Sequence, residues 1–125
     1  MTSNTKLLEQ KGYSISSVQL SDYSKAIKVN PNDAKAYVNR GVVYRNRQQS
    51  TLALSDFNRA IEIDPNFAEA YMNLGILHAE QRDYQQARLT LQKAQQLLIA
   101  QGDTAGAQRT EAFLEVLAKQ ENQNQ

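Results

Sequence analysis

The chain has 125 residues, of which 41% are hydrophobic, 14 are Lys or Arg and 13 are Asp or Glu, giving a formal charge of +1. A chain of this length forms one domain with a modest core, and so small a charge creates no general attraction for nucleic acid or an anionic membrane. There is no cysteine, which removes disulfides and thiolate metal sites and fits a reducing compartment. A cytoplasmic location is therefore expected, with the prior removal of a leader left open. Apolar runs such as Leu97-Leu98-Ile99-Ala100 are far shorter than the ~20 residues of a membrane span.

In chain order, a first helix is expected within residues 4–12, where the pattern is weakest. A second, about 15–29, carries Tyr23, Ala26 and Ile27 and ends before Pro31. Proline cannot donate into a continuing helix and pushes the residue before it out of helical geometry. Asp33 is placed to cap a helix at about 34–47, and another covers about 50–63 until Pro65 stops it in turn. Asn66 with Glu69 resembles a capping box that opens a helix at about 68–81. Asp83, followed by Gln86, caps the next, about 84–100, and Gly102 stands where a left-handed residue closes a helix. Asp103 or Thr104 then begins a last helix, about 104–119, with Ala107, Phe113, Leu114, Val116 and Leu117 as its apolar stripe. Residues 120–125 read as a frayed polar tail.

The two prolines are 34 residues apart, and so are Ala34/Ala68, Ala36/Ala70, Tyr37/Tyr71, Asn39/Asn73, Gly41/Gly75, Ala53/Ala87 and Ala60/Ala94. A fixed period of this size marks a stack of small helical units, each burying its apolar face on the next. The residue types follow a packing logic. Gly41, Gly75 and the alanines let paired helices approach closely, while Tyr37, Tyr44, Phe57, Tyr71 and Leu91 fill the space between units.

One unit reads Tyr37, Arg40, Gly41, Tyr44, Ala53, Phe57, Ala60, Pro65, and the next Tyr71, Leu74, Gly75, His78, Ala87, Leu91, Ala94, with Ile99 in place of proline. This pattern resembles the tetratricopeptide repeat (TPR), with Arg40 replacing its leucine, and covers about residues 15–101. The resemblance implies an all-α, right-handed solenoid of helical hairpins in a single domain over residues 1–120. Within it a partial repeat at about 1–33 precedes full repeats at 34–67 and 68–101 and a C-terminal capping helix.

Candidate chemistry is sparse. His78, the lone histidine, replaces Tyr44 of the preceding unit and is read as a packing residue, since one His without Cys or clustered carboxylates makes no metal site. No Gly-rich turn or third group organises Ser and Asp around it, so no catalytic residue, metal or cofactor is assigned. The repeat positions of Tyr37, Tyr44, Tyr71 and Tyr84 favour packing over a stacking platform for bases. Arg40, Arg45 and Arg47 form a basic cluster that either pairs with acids such as Asp56 and Glu80 or anchors an acidic peptide. Asn39 and Asn73 stand apart, because packing does not require a repeated amide and Asn is a poor helix former. An amide offers a donor and an acceptor together, either to a partner or to the neighbouring repeat.

In the resembled family the first helix of each hairpin lines a concave groove. That implies a peptide-binding surface of Lys35, Asn39, Val42, Arg45, Glu69, Met72, Asn73 and Ile76, with Val38, Ala79 and Glu80 beside them. One use of this fold grips the terminal carboxylates of chaperone tails with Lys, Asn and Arg. Here Asn73 fits, but Val38, Val42, Met72 and Ile76 hold the other places, which disfavours a chaperone-tail receptor. The expected function is a non-catalytic interaction module for a peptide or helical segment of another protein, without nucleic acid or membrane insertion. The alternative is self-assembly into a homo-oligomer through an uncovered repeat face. A helical-repeat RNA binder is disfavoured by the 34-residue period and the charge of +1.

Overall fold

The computed structural model describes residues 14–123, which form six helices and no strand. They are α1 (Ile15–Val29), α2 (Ala34–Asn46), α3 (Ser50–Ile63), α4 (Ala68–Glu80), α5 (Tyr84–Ala100) and α6 (Thr104–Gln123). Helices α2/α3 and α4/α5 pack as hairpins, α1 lies against α2, and α6 lies against α5. The result is a helical-hairpin solenoid. The helix expected within residues 4–12 lies outside the described residues.

Local chemistry explains the helix ends. Asp33 Oδ1 accepts the Ala36 N–H at 3.2 Å, Asp83 Oδ1 that of Gln86 at 3.3 Å, and Asp103 Oδ1 that of Gly106 at 2.9 Å. Each carboxylate thereby satisfies one of the amide groups that a helix start leaves unpaired. Gly102 closes α5 with φ at +76°. The capping box expected at Asn66 does not form: Phe67 holds the cap position of α4, and no side chain bonds there. One period after Asp33 is position 67, so Asn66 stands one residue too early, and its own N–H instead donates to Asp64 Oδ1 at 3.0 Å. Phe67 packs against the core. Within the hairpins, Gln48 and Arg82 turn the chain at φ of 61° and 63°, one period apart.

The main core joins α2, α3 and α4 through Val38, Ala53, Phe57, Ala60, Ala70, Leu74 and Leu77. Close approach within each hairpin needs its glycine. A Cβ on Gly41 would stand 2.6 Å from Phe57 Cε1, and one on Gly75 would stand 2.7 Å from Leu91 Cγ. Helix α6 closes the far end with Ala107 against Ala68 and Leu98, and Leu117 against Ala87 and Leu91.

The stripe on α6 differs from expectation. Its buried face is Gly106, Ala107, Thr110 and Leu117, whereas Phe113 is 43% and Val116 53% exposed. Gly106, Thr110 and Leu117 share one helical face, but two of them carry no hydrophobic signal. The Thr110 hydroxyl is accommodated by donating to the Gly106 carbonyl at 2.9 Å. Helix α6 also runs past the expected end at 119 to Gln123, held there by an ion pair from Arg88 on α5 to Glu121.

Candidate functional site

The three arginines have three environments. Arg40 points inward: its Nε and one terminal nitrogen each donate to an Asp56 oxygen at 2.8 Å, and the other terminal nitrogen donates to Ser24 of α1 at 3.3 Å. The guanidinium also lies 5.6 Å from the Tyr37 ring centre and 5.7 Å from that of Tyr44, within cation–π range. The bond to Asp56 raises the Arg40 pKa above its ordinary value, against a burial that lowers it. Arg40 therefore joins α1, α2 and α3 and is scaffold. Arg47 stands exposed at the end of α2.

Arg45 crosses between hairpins. One of its terminal nitrogens donates to Asn73 Oδ1 at 3.0 Å, and its Nε lies 3.7 Å from Glu80. Asn73 Nδ2 donates in turn to the Glu69 carbonyl at 2.8 Å. Both ends of the Asn73 amide are thus occupied by α4 itself and by the preceding hairpin, which is the structural alternative left open for it. Asn39 is different: half-buried on α2, it makes no side-chain hydrogen bond to a described residue. The position one period before Arg45 is residue 11, outside the described residues.

Among the other predicted site residues, Lys35 and Glu69 are exposed and Val42, Met72 and Ile76 half-buried. Val42 leans on the main core, and Met72 on Ala68, Leu98 and Ala107. Val38, placed beside the groove by register, has no exposed surface. It is enclosed where α4 packs on α2, so it is core and not lining.

A pocket of about 220 Å³ opens between α4, α5 and α6. Ile76, Ala79, Leu91, Phe113, Val116 and Leu117 make it apolar, and Glu80 and Gln120 add polar groups. Phe113 and Val116 had been assigned to the cap, so the sequence reading missed them as lining. His78 is half-buried, and among the described residues no group of three potential metal ligands occurs. No helix there is long and apolar enough to cross a membrane.

Models of the tetratricopeptide repeat match residues 34–67 and 57–89. Among solved structures, the TPR2B domain of yeast Sti1 in complex with pHsp70 is similar at 28% identity and a TM-score of 0.76, with 81% of each chain covered. The TPR2AB domain of yeast Sti1 in complex with pHSP90 is similar at 26% identity and a TM-score of 0.76, covering 92% of this chain and 44% of that one. The Arabidopsis OM64 TPR domain follows at 25% identity and a TM-score of 0.64, with 77% of each chain covered. No curated protein matches the sequence significantly. With the period, the glycine contacts and the hairpin packing in agreement, residues 34–89 of the chain are tetratricopeptide repeats.

Proposed function

We propose that the chain is a protein-interaction module that binds a segment of another protein in the groove lined by α2 and α4 and continued by α6. The observation that carries this reading is the uneven use of side chains. Tyr, Gly and Ala recur where packing demands them, while Asn39 bonds no described residue and Val42, Ile76, Phe113 and Val116 keep apolar surface open. Apolar area of this kind supplies affinity, and an amide that can both donate and accept fixes the direction of a bound backbone. Two yeast Sti1 domains similar to this chain were solved in complex with pHsp70 and pHSP90, which supports a protein partner. Val42 and Ile76 keep the departure from a carboxylate grip, so the proposed partner is not a chaperone tail.

Lys35, Asn39, Val42, Glu69 and Ile76 are the proposed contacts. Arg45 and Asn73 hold α2 and α4 in position, and Asn73 retains one N–H for a ligand. Met72 supports the floor. A displayed library of random dodecapeptides, selected on the immobilised chain, gives ligands for the test. On titration with such a peptide, backbone amide signals of α2, α4 and α6 should move. Shifts confined to α3 and α5 would reject the groove. Light scattering that showed concentration-dependent association of the chain, with no peptide retained, would favour self-assembly instead.

A further inference from the structure

The pocket between α4, α5 and α6 has a chemistry that narrows the partner. Its volume of about 220 Å³ is below the ~300 Å³ at which small-molecule sites begin. It suits a single long side chain. The half-exposed Phe113 and Val116 open it to solvent, and its walls are apolar apart from Glu80 and Gln120. Glu80, the last residue of α4, is the only charged residue in the lining.

That carboxylate is incompletely used. Its side chain is 53% exposed, and Arg45 approaches it only to 3.7 Å, beyond the ~3.2 Å limit of a good hydrogen bond. Arg45 makes its short bond to Asn73 instead. Two further features favour positive charge at the same end: the C-terminus of α4, which is the negative end of the helix dipole, and the partly exposed Phe113 ring, whose face attracts a cation. Apolar walls leading to a carboxylate match an alkyl stem with a charged head.

We infer that this pocket takes a lysine or arginine side chain from the bound segment, its stem against Ile76, Leu91 and Val116 and its head at Glu80. The inference rests on the groove reading above. An acidic side chain would meet Glu80 and the end of α4 with like charge.

The test is a dodecapeptide selection on the full chain, with bound peptides mapped by amide shifts and measured by fluorescence anisotropy. Groove binders should share Lys or Arg at one position. Replacing that residue by Leu should weaken binding about five- to tenfold, the sum of an exposed ion pair and a cation–π contact. Glu80→Gln should remove the ion-pair share, weakening the parent peptide by about two- to fivefold, and narrow the difference between the two peptides to the share of the cation–π contact. Peptides selected on Glu80→Lys should carry Asp or Glu at the position instead. Melting curves confirm that both variants stay folded, as expected for an exposed helix end. Groove binders without a basic position, or with an unchanged preference on Glu80→Gln, overturn the inference and leave the groove reading intact. Should no retained peptide map to the groove, both fall.

Discussion

Replacing Arg40 by leucine restores the residue type that the tetratricopeptide pattern has at this place and should nevertheless destabilise the protein severely. Asp56 is only 4% exposed and receives two bonds of 2.8 Å from Arg40. Arg40→Leu removes the counter-charge and leaves a carboxylate stranded beside Phe57 and the hairpin interior. Breaking one partner of a buried pair costs about 3–5 kcal/mol, a large share of the ~5–15 kcal/mol that a domain possesses. The second repeat shows the remedy, because Leu74 and Thr90 stand at the places of Arg40 and Asp56. The double variant Arg40→Leu/Asp56→Thr should therefore recover most of the loss, and an apolar replacement of a buried pair is often neutral or stabilising by about 1–4 kcal/mol. Urea unfolding followed by far-UV circular dichroism, on wild type, both single variants and the double, gives the four corners of the cycle. If Arg40→Leu alone unfolds at the wild-type urea concentration, or the double variant is no better than the single, the pairing does not hold the first hairpin together.

Gly75→Ala should lose about 1–3 kcal/mol through overpacking, since its new Cβ would sit 2.7 Å from Leu91 Cγ; an unchanged thermal midpoint would mean that the hairpin can open at no cost. Leu117→Ala should cost about 2–5 kcal/mol as a cavity in the far end of the core, while Val116→Ala should stay within about 0.5 kcal/mol. Equal losses in calorimetry would show that the two faces of α6 are misassigned. Asn73→Ala should lose about 1 kcal/mol in urea unfolding, because the net worth of its bonds to Arg45 and Glu69 exceeds the helix propensity gained. Asn39→Ala should leave stability unchanged and instead weaken peptide binding; the opposite pattern would exchange the two roles.

The period, the prolines and the three aspartate caps made the helices legible, because each acts within a few residues of its own position. Phe67 shows the limit of that locality: the cap was expected at Asn66, but the cap position falls at 67, where an apolar residue serves the core and no side chain takes the part of Asp33. Gln48 and Arg82 adopt left-handed backbone without the glycine that would announce it, so the hairpin turns were placed only by what flanks them. The partnership of Arg40 with Asp56 spans 16 residues and becomes visible once α2 and α3 are laid antiparallel. The candidate face was legible in register but not in division of labour. Whether Asn73 is available or engaged depends on Arg45, which belongs to the other hairpin. Phe113 and Val116 read as core because hydrophobicity alone does not say which side of α6 a neighbour covers.

The longer α5 gives the array a dislocation. Helix α4 starts 34 residues after α2, whereas α6 starts 36 after α4 (104 − 68), so the translational symmetry that relates the two hairpins is broken by two residues at the third step. At that altered spacing, the place held by Gly75 on α4 falls to Glu111 on α6 (75 + 36). A helix laid on α6 as α5 lies on α4 would meet a carboxylate side chain where the hairpins require a bare backbone. Glu111 instead accepts a bond from Gln95 of α5 at 2.6 Å. The phase slip thus breaks the repeat operation at α6: applying it once more would bring a helix onto the Glu111 side chain instead of onto a glycine.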